Sequence, residues 1–249
     1  MTWAQVGWVV IGLSALLLVG FSLLLKDRFS YHVRHLPAVK ALLDQRVIAI
    51  ERGQGRQVVL GDRFWNRAFP GLGLHALAVL PGLVSPEDGQ DEGQLVSGGT
   101  GELVLFARQI VDGAYQDGYS TGLAQGMYPL QMPGPTPLSF LAGLLVQINL
   151  QSPGSLALFG SFGTTAPLWA EAAMIKRGHV FAAAGSISGQ AALFMGIRDM
   201  LIGEEIFMLP GLVENRPANQ AGWMTEDLMR AMLIIFILAA AILKMVGVI

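Results

Sequence analysis

The chain contains no cysteine, which excludes disulfides, thiolate metal sites and cysteine nucleophiles. It is also poor in charge: 14% of its 249 residues are Asp, Glu, Lys or Arg, against about 25% in an ordinary soluble domain. What charge there is nearly cancels, 16 basic against 18 acidic residues. No basic stripe stands out, so no nucleic-acid partner is expected. The histidines, His32, His35, His75 and His179, supply no metal site. His32 and His35 have helical spacing, but no third ligand lies near them and they sit among basic residues, which suits a membrane surface better. His179 opens an apolar run and reads as structural. No Walker lysine loop is present, and neither Ser161, Ser186 nor Ser188 lies in a G-x-S-x-G elbow. No metal, cofactor or hydrolase triad is expected.

What the chain has instead is hydrophobicity, 53% of its residues. Residues 3–25 carry no charge, and about 23 such residues suffice to cross a hydrocarbon core roughly 30 Å thick. Lys26, Arg28, Arg34 and Lys40 follow this run and nothing basic precedes it, which by the positive-inside rule puts the N-terminus outside and residue 26 onward in the cytoplasm. Residues 228–249 form a second long apolar run, with Arg230 near its start and Lys244 near its end. Thr225 is the expected N-cap there, with Glu226 and Asp227 at the positive end of the helix dipole. The rival reading of this run is a buried or interfacial helix. The expected organisation is a transmembrane helix at 1–25, a basic juxtamembrane segment and helix at 26–56, a cytoplasmic α/β domain at 57–224 and a second transmembrane helix at 225–249. Such a protein is two-pass in the inner membrane with both termini outside.

Between the apolar ends, short apolar runs alternate with helical patterns. Residues 35–51 place Leu36, Val39, Leu42, Leu43, Val47 and Ile50 at helical spacing. Runs that read as strands begin at Gln57, Leu95, Tyr128, Ser155, His179 and Asp199, and five of the six lead into helices. The expected helices are 102–114, 137–148, 164–175 and 190–196, with a short one at 75–80 stopped by Pro81 and Gly82. Residues 85–94 are polar, acidic and glycine-rich, hence an exposed loop. Strands alternating with helices of this length predict right-handed crossovers and a Rossmann-like, mostly parallel sheet with helices on both faces. The runs 156–159 and 180–184 lack polar alternation, as strands buried on both faces do.

In such a sheet the strand-to-helix turns lie at the carboxyl edge, where ligands bind. Three turns point backbone N–H groups toward a helix start, the requirement for holding phosphate. They are Gly98, Gly99, Thr100 and Gly101; Gly160, Ser161, Phe162 and Gly163; and Gly185, Ser186, Ile187, Ser188 and Gly189. The alternative is that these glycines permit tight turns and close packing. Glu204 and Glu205 follow the last strand in an apolar setting, placed either to exchange a proton or to hold a turn. Glu171 reads as a helix residue that pairs with a base or faces another subunit.

The stretch 160–163 before a helix with Ala170, Glu171 and Ala172, the turn and helix start at 186–192, and the run from Leu201 to Phe207 together carry a resemblance. The chain resembles a family of bacterial membrane-anchored proteins with a domain of unknown function, over most of residues 36–244; residues 64–94 depart from the pattern. The resemblance implies a membrane helix at each end of a compact α/β domain, and no activity. The expected function is a non-catalytic scaffold or assembly subunit, partnered by the lipid bilayer and by further copies or other subunits of a membrane complex. Two alternatives stand beside it: a nucleotide or phosphometabolite sensor using the glycine turns, and a membrane-tethered enzyme using Glu204 or Glu205.

Overall fold

The computed structural model describes residues 36–61, 71–83, 94–118, 130–213 and 217–245, with residues 8, 12, 14–20 and 23 near the start. His32, His35, most of the expected loop at 85–94 and the first two residues of the expected strand at Tyr128 lie outside that description. The chain divides into two units, His35–Glu214 and a second made of Met1–Arg34 with Asn215–Ile249.

The larger unit contains the expected parallel sheet. Its elements run α1 (Pro37–Glu51), β1 (Arg56–Leu60), α2 (Leu72–Leu83), β2 (Gln94–Gly98), α3 (Gly101–Gly118), β3 (Leu130–Gln131) and α4 (Pro137–Gln151). They continue with β4 (Ser155–Gly160), α5 (Ala166–Ile175), β5 (His179–Ala184), α6 (Ile187–Phe194), β6 (Asp199–Leu201) and α7 (Glu205–Val213). The strand order is β3-β2-β1-β4-β5-β6 and every pairing is parallel. This is the doubly wound order of dinucleotide-binding folds, with its topological switch between β1 and β4.

Register explains the apolar runs. One row across the sheet is Leu60, Phe159, Ala183 and Leu201, and these pack with α1, α2, α3 and α7 in one core cluster. The next row is Val59, Leu158, Ala182 and Met200, which faces α4, α5 and α6 in a second cluster. Because both faces are covered, every residue of β4 is buried. Under α4 and α5 the rings of Phe140 and Phe162 both meet Trp169 edge to face, at 5.3 and 5.9 Å, and the Trp169 indole N–H donates to Leu141 O.

Several boundaries differ from the sequence reading. The helix expected beside the membrane, α1, packs Leu36, Val39 and Leu42 into the sheet core, so the compact unit begins near residue 35 instead of 57. Pro81 lies inside α2 instead of ending it. It falls in the last turn, where its missing N–H interrupts only one bond, and Arg46 Nη1 donates to the terminal carbonyl of Gly82 at 2.7 Å, a favourable place for a cation. Helix α6 starts three residues before the expected Gln190, because Ser186 caps it by accepting from Gly189 N at 3.0 Å. The expected start of α4 at Pro137 is correct: Thr136 and Ser139 form a reciprocal capping box. A further helix, α7, follows the last strand and begins at Glu205, where no helix was expected.

In the smaller unit, residues 14–20 are helical and α8 spans Pro217–Met245. Thr225 is therefore buried within α8 and is not its N-cap; Pro217, whose fixed φ suits a first turn, precedes it. Arg230 pairs with Glu226 one turn earlier at 2.6 Å. Among the described residues no helix is long and apolar enough to cross a membrane.

Candidate functional site

The winding of the sheet brings the turns singled out in the sequence to one edge, and hydrogen bonds tie them together. Gly61 N donates to Phe159 O and Gly99 N to Gly61 O, at 2.8 and 3.0 Å, while Gly185 N donates to Gly160 O at 2.9 Å. Ser186 Oγ donates to Phe162 O. Gln190, on α6, ties the end of β5 to the turn after β6, giving its amide N–H to Ala184 O at 2.7 Å and accepting from Gly203 N at 3.4 Å.

At the switch point the backbones close on each other. Gly160 has φ +121°, a conformation reserved for glycine, and a Cβ on Gly61 would lie 2.9 Å from Ser161 N. A Cβ on Gly189 would lie 2.5 Å from Phe162 O, so α6 sits against the turn before α5. The N–H groups of Gly61, Gly99, Gly185 and Gly189 are thus spent inside the protein. Gly98, Gly99, Gly160, Ser161 and Gly185 are buried, whereas Gly101, Ser188 and Glu204 are exposed and Thr100, Gly163, Ser186 and Glu205 are half-buried. Thr100 Oγ1 accepts from Leu103 N at 3.4 Å, capping α3. Glu205 occupies the first turn of α7, where a carboxylate suits the positive helix end. Among the described residues no three His, Cys, Asp or Glu side chains converge on a metal position.

Two polar features were not anticipated. Under α4, Gln57 on β1 and Ser97 on β2 are buried. Gln57 Nε2 donates to Gln147 Oε1 at 3.3 Å, Ser97 Oγ donates to the same oxygen at 3.1 Å, and Gln147 Nε2 donates to Gln131 Oε1 at 2.6 Å. This ladder joins three strands to one helix, and its members are scattered over 90 residues of sequence.

The second feature is a cleft of about 290 Å³ at the amino edge of the sheet, opposite the glycine turns. It opens between the C-terminal ends of α1 and α5, with Arg52, Gln54 and Arg177 among its walls. His179, at its margin, pairs with Asp199 at 2.8 Å. The sequence carries no signal for it, since Gly178 reads as the helix-end glycine and the left-handed turn falls on Arg177 instead.

Fold and turns together define a doubly wound parallel α/β domain with an internally bonded carboxyl edge. Comparison with protein-family models, with curated proteins and with solved structures returns no match.

Proposed function

We propose that this chain is a non-catalytic assembly subunit, held at a lipid bilayer by helices at its two ends as in the bacterial family its motifs resemble. Copies associate through the layer formed by α4, α5 and α6. The observation that carries this reading is the chemistry of that layer. Its three helices contain a single charged residue, Glu171. Leu138, Leu150, Ile175 and Ile187 are each more than 70% exposed, as is Met195 just beyond α6. Large apolar side chains left exposed on helices almost without charge are what an interaction surface offers. A face without charge needs no partner of opposite sign, so a second copy is its simplest complement across a two-fold axis. The bilayer part of the proposal rests on the uncharged run at 3–25 and the apolar run at 228–249, both only partly covered by the described residues; the positive-inside rule then makes the sheet cytoplasmic.

Leu150→Glu with Met195→Glu tests the assembly. Both side chains are exposed, so the fold tolerates the change, and the particle extracted in mild detergent should fall to a single protomer. An unchanged particle mass, or a monodisperse wild-type monomer, overturns the reading.

One observation favours a nucleotide or phosphometabolite sensor instead: the strand order with its switch point at Gly61 and Gly160. Against it stand the N–H groups of Gly99, Gly185 and Gly189, already donated within the protein. Saturable thermal stabilisation by millimolar nucleotide would support the sensor, and its absence would remove it.

A further inference from the structure

The amino-edge cleft has the makings of a binding site that owes nothing to the glycine turns. Two arginines line it, Arg52 at the end of α1 and Arg177 beyond the end of α5. Both are exposed, and neither has a side-chain hydrogen bond or ion pair among the described residues. The amides of Gln45 and Gln54 add neutral donors, and Ile48 and Met174 supply an apolar wall. Among the described residues no carboxylate lines the cleft, and His179 at its margin already occupies the Asp199 carboxylate.

The backbone makes Arg177 unusual. Helix α5 ends in a Schellman motif: Gly178 N donates to Ala173 O and Arg177 N to Met174 O, both at 2.9 Å. The residue at the turn adopts φ +62°, the left-handed region that glycine fills without strain. The equivalent turn after α1 uses Gly53, with φ +60°, and leaves its arginine one residue earlier. Strained residues that face a cavity are a mark of function. The C-terminal ends of α1 and α5 bring partial negative charge of about half a unit each, which two full guanidinium charges exceed.

We propose that this cleft binds a small organic anion, its phosphate monoester or carboxylate held between Arg52 and Arg177 and its apolar part lying on Ile48 and Met174. The volume admits a small metabolite and not a dinucleotide, since pockets for drug-sized ligands run from about 300 to 1,000 Å³.

The test is thermal stabilisation and calorimetric titration of the full chain in mild detergent with phenyl phosphate, hexanoate, inorganic phosphate and, at matched ionic strength, sodium chloride. Phenyl phosphate or hexanoate, whichever head group the arginines prefer, should bind saturably and at least tenfold more tightly than inorganic phosphate. Sodium chloride should give no saturable effect. Arg52→Gln and Arg177→Gly should each weaken that binding at least tenfold. Removing strain keeps the second variant folded, so its loss of binding is not a loss of structure. Absence of saturable binding in the wild type, or equal binding by both variants, overturns the proposal.

Discussion

Replacing Arg177 by glycine and by alanine separates backbone strain from side-chain charge. Both variants lose the guanidinium and any attraction to the α5 dipole, so that contribution cancels between them. Alanine keeps the left-handed penalty at φ +62°, about 1–2 kcal/mol for a residue with a Cβ. Glycine removes it but gives the unfolded chain more freedom, a cost of about 0.5–1 kcal/mol. Arg177→Gly should therefore be more stable than Arg177→Ala by about 1 kcal/mol. For an α/β unit running from His35 to Glu214, that corresponds to roughly 2–4 °C in Tm. Urea unfolding followed by far-ultraviolet circular dichroism, with differential scanning fluorimetry for Tm, reads the difference on full-length protein. If the alanine variant equals or exceeds the glycine variant, the Schellman end of α5 is wrong and so is the account of strain facing the cleft.

Two further substitutions test the hydrogen bonds that hold the sheet's surroundings. Ser186→Ala removes the α6 cap and the hydroxyl donor to Phe162 O and should cost about 1–3 kcal/mol, whereas Ser188→Ala, at an exposed position, should be near neutral; equal effects in urea unfolding would refute the capping role. Gln147→Leu leaves the buried Ser97 hydroxyl without its acceptor and should cost about 1–3 kcal/mol. The triple variant Gln57→Leu, Ser97→Ala, Gln147→Leu, which removes the stranded partners as well, should recover most of that loss, and failure to recover would show that packing and not hydrogen bonding holds α4 there.

The sheet was legible because a strand buried on both faces must be a short apolar run bounded by turn residues, as at 155–160 and 179–184. Helix boundaries were less legible where a side chain far away in sequence decides them. Pro81 reads as a stop until Arg46 is found on the carbonyl of Gly82, and α7 is short enough that its apolar residues look like a tail to β6. The glycine turns were found, but the use made of their N–H groups depends on which turns become neighbours, and that follows from strand order. The amino-edge cleft was not found at all. Its walls come from α1, the turn before β1, α5 and β5, and only parallel winding makes these segments adjacent. The glutamine ladder is equally silent in sequence, since a lone Gln57 in an apolar run looks like a surface residue.

Among the described residues the two outermost strands of the sheet are its shortest, β3 with two residues and β6 with three. Each therefore offers only a stub of unpaired backbone to a visiting strand, too little to template a longer ribbon. Edge-to-edge pairing of one sheet with another is therefore disfavoured along the described strands, which works against fibre-like extension.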